Sequence, residues 1–309
     1  SKMKNMSYEE FKKQLLRMLR ERLRDSIKPE IIPVNKNNGI MKETVGIENG
    51  IDGLKPLVYV ESLYDQYCIG ADLSTCVSFV VGLYRAMPDL HMEQYFETWE
   101  AVKPRITVRV VNWEWNKDEL RDIPHKKYMD LAVYCRVVLA QNEDGIVSTV
   151  VKNSMLRYLE IEEKELWETA RNNFQKEKYL IRHIDEETGL TGSYLNKFLN
   201  LSYHEDETHI LTNEYHNNGA VGILRFDLLE KFAEQKRCNI YVLPSSLNEV
   251  ILVPDRGGRT PDFLRSLVKK NNKDYPDEGD LSENIYYYRR GNKSFLLAAT
   301  GLLKEAQDE

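Results

Sequence analysis

Two adjacent serines lie between two apolar segments of the chain. Residues 240–243 precede Pro244, Ser245 and Ser246, and residues 250–253 follow a little later. A serine hydroxyl at such a turn acts as a nucleophile if a basic side chain takes its proton. The flanking residues lack the G-x-S-x-G motif that presents a hydrolase serine on a strand-to-helix turn. Because Pro-Ser-Ser also suits a plain turn, we interpret the segment first as a strand connection, then as a ligand contact, and last as a catalytic site.

Asn248 and Glu249 interrupt the apolar character just before the second segment. We expect both side chains to lie near the turn or at the rim of a sheet, because polar residues of this kind are depleted within strands. Together with Ser245 and Ser246, they are the residues that we predict to contact a ligand or a partner. No residue is assigned a catalytic role, and whether the protein is an enzyme stays open.

Residues 204–209 combine two histidines with three acidic residues. Imidazole and carboxylate groups of this kind bind zinc or a hard cation. The spacing of His204 and His209 differs from H-E-x-x-H, in which one helix face presents both rings. His183 or His216 would have to complete such a site in space. A solvated acidic loop is therefore favoured over a metal site, and no cofactor is predicted.

The N-terminal segment carries a row of basic residues that includes Lys13, Arg17, Arg20 and Arg24. A basic helix face of this kind binds nucleic-acid phosphates. Acidic residues are interspersed with these cations, and an amphipathic helix needs a polar face in any case. The formal net charge of −6 also argues against a nucleic-acid partner. We favour a solvated face and keep nucleic-acid binding as the weakest functional hypothesis.

Two aromatic clusters stand at Trp113-Glu-Trp115 and Tyr286-Tyr-Tyr288. In a strand, alternate residues share a face, so each cluster would present an aromatic pair. Such pairs can stack a base or a sugar. We favour packing in the core, with any phenol or indole donor bonded at the edge.

The composition is that of an ordinary globular protein, with 42% hydrophobic and 30% charged residues. A chain of 309 residues buries about three quarters of its unfolded surface without needing disulfides. The four cysteines form no C-x-x-C pair, which is typical of a reducing compartment. No apolar stretch approaches the roughly 18 residues that cross a bilayer, and we predict no signal peptide. The expected location is cytoplasmic, without a membrane partner.

Hydrophobic periodicity and turn residues predict the elements. Ser7 and Glu10 form a capping box at the start of an amphipathic helix, and Asn37-Asn38-Gly39 predicts a hairpin. Helices are predicted over residues 7–24, 75–88, 92–102, 161–178, 227–236 and 261–270. Strands are predicted over residues 30–34, 39–47, 57–60, 106–111, 131–139, 146–151, 210–212, 219–224, 240–243, 250–253 and 285–288.

This mixture of hairpins and clustered helices predicts an α+β fold, with mostly antiparallel sheets and helices packed on them. The polar break at residues 203–208 suggests two lobes. Residues 1–202 would form an N-terminal α+β lobe that ends in a helical segment. Residues 203–309 would form a C-terminal α+β lobe that contains the paired strands of 240–253.

Several segments together resemble an uncharacterised domain-of-unknown-function family of anaerobic gut Gram-positive bacteria. The most specific is the element Leu-Pro-Ser-Ser-x-x-Glu-Val-Ile-Leu at residues 243–252. The others lie at residues 8–11, 37–39, 211–213, 219–224 and 285–288. The resemblance implies the same fold reading and a bacterial cytoplasmic setting. It implies no activity, because the family has no assigned function, and its members often carry histidine at the position of Asn248.

Two functional classes follow from these observations. The favoured hypothesis is a non-catalytic interaction or regulatory protein with a protein or small-molecule partner, because no triad, metal-ligand spacing or cofactor fingerprint stands out. The alternative is a hydrolase-type enzyme with a site near residues 244–249, assembled from residues distant in sequence.

Overall fold

The structure is a computed structural model that describes residues 5–23, 27–49, 53–86, 98–142, 145–184, 207–274, 279–292, 294–299 and 302–305. The fold class is α+β, as the sequence predicts, and the described strands form three antiparallel sheets. The chain divides into two compact units, residues 1–94 and residues 95–309. Among the described helices, none has the length and apolar character needed to span a membrane.

The first unit combines one antiparallel sheet, in the order β1-β2-β3, with helices. Its described elements are α1 (Tyr8–Arg22), β1 (Ile27–Asn35), β2 (Met41–Asn49), β3 (Gly53–Tyr59), α2 (Val60–Cys68) and α3 (Leu73–Ala86). The Ser7 hydroxyl accepts a hydrogen bond from the backbone N–H of Glu10 at 3.2 Å, which caps α1 as predicted. Asn38 and Gly39 have φ values of 66° and 72°, a conformation that suits these two residue types. The predicted first helix and first hairpin are confirmed.

The second unit holds the other two sheets. Its first described elements are α4 (Trp99–Val102), β4 (Ile106–Asn112), α5 (Trp113–Leu120), β5 (His125–Tyr128), β6 (Leu131–Asn142), β7 (Gly145–Val150), α6 (Asn153–Leu159), α7 (Glu163–Lys176) and β8 (Tyr179–His183). They are followed by β9 (His209–Asn213), α8 (Phe226–Lys236), β10 (Ile240–Leu243), β11 (Val250–Pro254), α9 (Pro261–Asp274), β12 (Ile285–Arg289), β13 (Ser294–Ala299) and β14 (Leu302–Glu305). The predicted helix over 92–102 lies mostly outside the described residues.

Both sheets of this unit are built around apolar strands. In the smaller sheet, β6 pairs with β4, β5 and β7, so the predicted hairpin of β6 and β7 is confirmed. The larger sheet has the order β14-β13-β12-β10-β11-β9-β8. Its inner strands β10 and β11 pair antiparallel and are buried throughout. The serine turn therefore connects two neighbouring central strands, as expected from their apolar sequences.

Residues 113–115, whose tryptophans were considered in strand geometry, and residues 219–224, predicted as a strand, are helical. Residues Trp113–Leu120 form α5, because the Asn112 side chain caps its first turn by accepting from the backbone N–H of Trp115 at 3.0 Å. Residues Gly219–Leu224 form a 3-10 helix. A short apolar run does not distinguish a strand from a buried helical turn. Tyr286 and Tyr288 lie on β12, where both are fully buried in the core.

The predicted boundary between residues 202 and 203 lies outside the described residues. The strands on either side of it, β8 and β9, pair antiparallel in the larger sheet. Because one sheet contains both strands, the chain between them connects two parts of the same compact unit. The division between the compact units follows Gln94, and the two lobes over residues 1–202 and 203–309 stay a prediction.

Candidate functional site

The two serines of the turn are buried and bonded within it. Ser245 and Ser246 are both essentially inaccessible. The Ser245 hydroxyl donates to the backbone oxygen of Glu249 at 3.0 Å and lies 3.2 Å from Oε1 of the same residue. The Ser246 Oγ accepts from the backbone N–H of Asn248 at 2.9 Å. Both hydroxyls therefore hold the turn, and neither bonds to a histidine or a lysine of the described chain.

Asn248 tethers the turn to neighbouring segments. Its backbone oxygen accepts from the Thr212 hydroxyl at 2.7 Å, and its side-chain oxygen accepts from the backbone N–H of Asn218 at 3.0 Å. Glu249 is buried, and Asn248 is half-buried. The four predicted contact residues thus come together in one turn, but this turn is packed against its surroundings.

Gly219 makes this close packing feasible. A Cβ atom at Gly219 would lie 2.3 Å from the Thr212 Oγ1 and 2.7 Å from the Asn248 backbone oxygen. Both distances are far below van der Waals contact, so only glycine fits between the end of β9 and the turn.

The predicted histidine cluster is only partly within the described residues, since His204 lies outside them. His209 lies on β9, with its Nδ1 atom 2.7 Å from the backbone oxygen of Glu207. Its ring contacts the rings of His183 and Phe232, with centroid distances of 5.2 Å and 4.9 Å. Across the described ranges, no three His, Cys, Asp or Glu side chains are grouped as metal ligands would be.

The basic residues of the first helix lie on its surface. Lys13, Arg17 and Arg20 are exposed on α1, whereas Arg24 lies outside the described residues. Arg17 forms an ion pair with Glu21, with a nitrogen-to-oxygen distance of 2.8 Å.

A cavity of about 590 Å³ lies where the start of β4, the end of α7 and the end of β9 meet. Among the described residues of its lining, cations outnumber acids. The cations are Arg105, Arg109, Lys176 and Lys178, and the acids are Glu177 and Glu214. The volume is within the range of natural small-molecule sites, about 300–1,000 Å³.

Arg109 is the residue of this lining that most requires explanation. It lies in the middle of β4, opposite Tyr134 of β6, and only 5% of it is exposed. Its guanidinium forms no hydrogen bond or ion pair with any described residue. Burial lowers the pKa of the Arg109 guanidinium. An arginine nevertheless stays charged at neutral pH, and the nearby Glu177 carboxylate favours this charge, so β4 carries a cation without hydrogen bonds at the cavity.

The charged and polar groups around Arg109 already have partners. The Glu177 carboxylate accepts from the Thr107 hydroxyl at 2.6 Å and from the Tyr179 hydroxyl at 2.9 Å. Burial, together with this carboxylate, raises the pKa of Tyr179. Arg225, itself buried, donates to the backbone oxygen of Glu177 at 2.7 Å and pairs with Asp227. Arg109 differs from these described neighbours because it interacts with Glu177 through charge and makes no hydrogen bond to a described residue.

A second arginine on the same sheet has a guanidinium whose donors form hydrogen bonds. Arg136 of β6 donates from Nε to the Ser148 hydroxyl at 2.6 Å and from Nη2 to the Ser148 backbone oxygen at 2.8 Å. Arg109 has no equivalent contacts. Its planar fork of donors matches a carboxylate or a phosphate, so the chemistry that this cavity offers is the binding of an anion.

The candidate residues chosen from the sequence do not include this cavity. The available signal was a single arginine within the strand Ile106-Thr-Val-Arg-Val-Val111, where every neighbour is apolar or small. A charged residue at a buried strand position needs a partner. The remaining lining residues come from α7 and β9, far away in sequence, so only the fold brings them together.

Comparison with known proteins identifies a family for this chain but no function. Residues 8–290 match the model of one protein family, described as a family of unknown function (DUF5688). This range includes the serine turn, Arg109 and the rest of the cavity lining. No curated protein and no solved structure matches the chain.

Proposed function

This chain belongs to the DUF5688 family of unknown function, and we propose that it is a non-catalytic protein that binds a small anionic ligand at Arg109. The proposal gives a small-molecule partner to the interaction or regulatory role that the sequence favours. The bound ligand would be held in the cavity between β4, α7 and β9.

One observation carries this proposal, namely that the Arg109 side chain is buried in β4, lines the cavity and makes no hydrogen bond to a described residue. Taking a charge out of water costs several kcal/mol, and a pairing group normally offsets this cost. An anion in the cavity would supply that pairing through charge-assisted hydrogen bonds, which are stronger than neutral ones. Binding of the anion would therefore recover the free energy that burial of the guanidinium costs the ligand-free protein.

The composition of the cavity supports the same conclusion. Beside Arg109, the exposed Lys176 and Lys178 add positive charge to the described part of the lining. Such a lining attracts anions and raises their local concentration. Ligand binding also stabilises the folded state in proportion to the logarithm of ligand concentration, which gives the protein a way to respond to that ligand.

The other hypotheses have less support. A hydrolase site near residues 244–249 would need an available hydroxyl, yet Ser245 and Ser246 are buried and bonded within the turn. Nucleic-acid binding by α1 would rest on Lys13, Arg17 and Arg20, which are exposed but accompanied by acidic residues.

The setting that we propose is the cytoplasm of a bacterium. The four cysteines are free thiols, of which Cys76 and Cys135 are buried. Unpaired cysteines are ordinary in reducing compartments and uncommon in secreted proteins.

Thermal unfolding in sodium sulfate and in sodium chloride of equal ionic strength tests the proposal. Sulfate should raise the unfolding temperature of the wild type more than that of Arg109→Met, because only the wild type retains the specific site. Sulfate also stabilises proteins by exclusion from their surfaces, so the difference between the two proteins is the relevant quantity. The matched control is Arg136→Met, which removes a bonded guanidinium outside the cavity and should keep the wild-type response. An equal response of wild type and Arg109→Met would overturn the proposal.

A further inference from the structure

We infer that the protein has a second ligand site, which takes a small monocarboxylate with an aromatic body. The site is a cavity of about 360 Å³ on the smaller sheet of the second unit, bordered by β4, β5, β6 and α7. This inference goes beyond the proposed function and does not depend on anion binding at Arg109. It follows from the separation of the two cavities, from the apolar floor of the second one, and from the cations at its rim.

The second cavity is separate from the one that Arg109 lines. Val108 lines the second cavity and directly precedes Arg109 on β4. Successive side chains of a strand point to opposite faces, so the two residues lie on opposite sides of the smaller sheet. The described linings of the two cavities share no residue. A ligand in the second cavity would therefore be held by a different set of side chains.

The floor and walls of the second cavity are apolar, and half of their apolar side chains are aromatic. These side chains come from four elements and are Val108, Val133, Trp167, Ala170, Phe174 and Phe226. The aliphatic Val133 and the aromatic Trp167 and Phe226 keep part of their surface exposed. Covering this surface with an apolar ligand is favourable in proportion to the area removed from water. Aromatic ligands gain additional edge-to-face or stacked contacts with such rings.

The rim of the second cavity carries cations. Lys126 on β5 and Arg171 on α7 both line the cavity and are exposed, and none of the described lining residues is acidic. The Lys126 ammonium lies 5.1 Å from the centroid of the Trp167 ring, a cation–π contact that keeps the charge beside the apolar wall. Lys127 also belongs to the lining, but its ammonium lies over Trp113, which does not. Lys126 and Arg171 are therefore the two cations that a bound anion would meet.

This distribution of apolar and charged groups selects the chemistry of the ligand. A strongly polar ligand such as a sugar would lose its hydration against the apolar floor without gaining hydrogen bonds. A neutral hydrocarbon would make no use of the two cations at the rim. An aromatic monocarboxylate satisfies both parts, because its ring would lie on the floor while its two oxygens face Lys126 and Arg171.

The volume of the second cavity limits the size of the ligand. About 360 Å³ is the volume of roughly twelve water molecules in the liquid, at about 30 Å³ each. A ligand of about ten to thirteen non-hydrogen atoms would fill this space. A two-ring aromatic acid is a compound of that size.

Isothermal titration of the full chain with 1-naphthoate and with its neutral amide, 1-naphthamide, tests the inference at constant ionic strength. The two probes share the same rings and differ in charge. The titrations are done in the wild type and in Arg109→Met, because the latter removes anion binding at the first cavity. We expect both proteins to bind naphthoate about five- to tenfold more tightly than naphthamide, as two exposed cations would give.

Substitutions at exposed positions locate the bound probe. The double variant Lys126→Gln, Arg171→Gln, made in the Arg109→Met protein, should bind naphthoate about as weakly as naphthamide and should leave the affinity for naphthamide nearly unchanged. Lys164→Gln is the matched control, since it removes an exposed cation of α7 outside the lining. This control should keep the preference for naphthoate.

Three results would overturn the inference. Naphthoate that does not bind, or that binds no more tightly than naphthamide, would show that this cavity does not select apolar carboxylates. A loss of naphthoate binding in Arg109→Met alone would place the probe in the first cavity. A preference for naphthoate that survives the loss of Lys126 and Arg171 would show that the rim cations do not recognise the carboxylate. None of these results changes the sulfate test of Arg109, so the two proposals fail or stand separately.

Discussion

Arg109 occupies a position that a buried strand normally gives to valine or isoleucine. Its neighbours Val108 and Val110 are buried, and they pack in the core of the second unit. A charged residue in such a place lowers stability unless a ligand pairs with it. Binding sites commonly retain groups of this kind at the expense of stability. At the scale of single residues, Arg109 therefore distinguishes a binding site from ordinary packing.

Replacing this arginine should stabilise the protein when no anion is present. We expect Arg109→Met to raise the free energy of unfolding by about 1–2 kcal/mol, because an apolar side chain of similar length replaces a buried charge that lacks hydrogen bonds. Urea denaturation in a buffer without multivalent anions measures this change. Arg136→Met should have the opposite effect, since it leaves the Ser148 oxygens without their donor. A loss of stability in Arg109→Met as large as that in Arg136→Met would contradict the account.

The serine turn shows how far single residues can be interpreted from sequence. Its position between two central strands follows from the apolar segments and from Pro244, and the structure agrees. The favoured interpretation is that the hydroxyls of Ser245 and Ser246 bond within the turn, because they are close to backbone groups there. Arg109 could only be suspected, since its partner groups come from elements distant in sequence.

At the scale of elements, the 3-10 helix Gly219–Leu224 holds the serine turn against β9. The backbone N–H of Ala220 donates to the backbone oxygen of Leu247 at 3.1 Å. The absence of a side chain at Gly219 lets Thr212 and Asn248 approach each other. The sequence predicts a strand over these residues. A run of six residues is too short for its hydrophobic periodicity to distinguish a strand from a helical turn.

A methyl group at Gly219 should therefore be costly. We expect Gly219→Ala to lower the free energy of unfolding by about 3 kcal/mol, because the new Cβ atom would force backbone groups apart. Chemical denaturation measures the effect. The control is Gly258→Ala, where a Cβ atom would meet nothing within 4 Å, so its stability should change little. Equal stabilities of the two variants would show that the close approach is not as described.

The end of α7 depends on a second cation, Arg225. This side chain donates to the backbone oxygens of Phe174 and Glu177 at 3.4 Å and 2.7 Å, groups that a helix C-terminus leaves without partners. Asp227 fixes the guanidinium in place, with both oxygens 3.0 Å from its nitrogens. The hydrogen bonds from Arg225 lower the pKa of Asp227 below its ordinary value of 3.8.

The Arg225–Asp227 pair should stabilise the protein in a pH-dependent way. Because the folded-state pKa is lowered, the contribution is present above the ordinary pKa and disappears as the pH falls through the folded-state pKa. Asp227→Asn should lose no more than about 1 kcal/mol at pH 7, since the carboxylate is half-exposed and screened by solvent. Unfolding of both proteins between pH 7 and pH 2 should show the difference shrinking towards acid. A difference that stays constant over this range would rule out the ion pair as its cause.

At the scale of the whole molecule, each compact unit has its own core. The buried residues of the first unit form one cluster, which includes Phe11, Leu15 and Val77. The clusters of the second unit draw on Trp99 and later residues. The predicted boundary between residues 202 and 203 rests on a polar stretch in the sequence and stays a prediction. A polar stretch also occurs between two strands of one sheet, and pairing such as that of β8 with β9 cannot be read from composition.

Residues 95–309 should therefore fold without the first unit. We expect this fragment to unfold cooperatively and to show the same sulfate-dependent stabilisation as the full chain, since it contains every residue of the cavity lining. Circular dichroism during thermal unfolding measures both properties. A folded fragment that has lost the sulfate response would contradict the assignment of the site to this unit.

A crystal of the full chain grown with selenate would test the central claim most directly. Selenate is a dianion whose selenium atom can be located by anomalous scattering. The account predicts an anomalous peak in the cavity between β4, α7 and β9, with selenate oxygens about 2.7–2.9 Å from the Arg109 guanidinium nitrogens, and no such peak in Arg109→Met. Wild-type crystals in which Arg109 lies without an anion, while selenate occupies other sites, would contradict it.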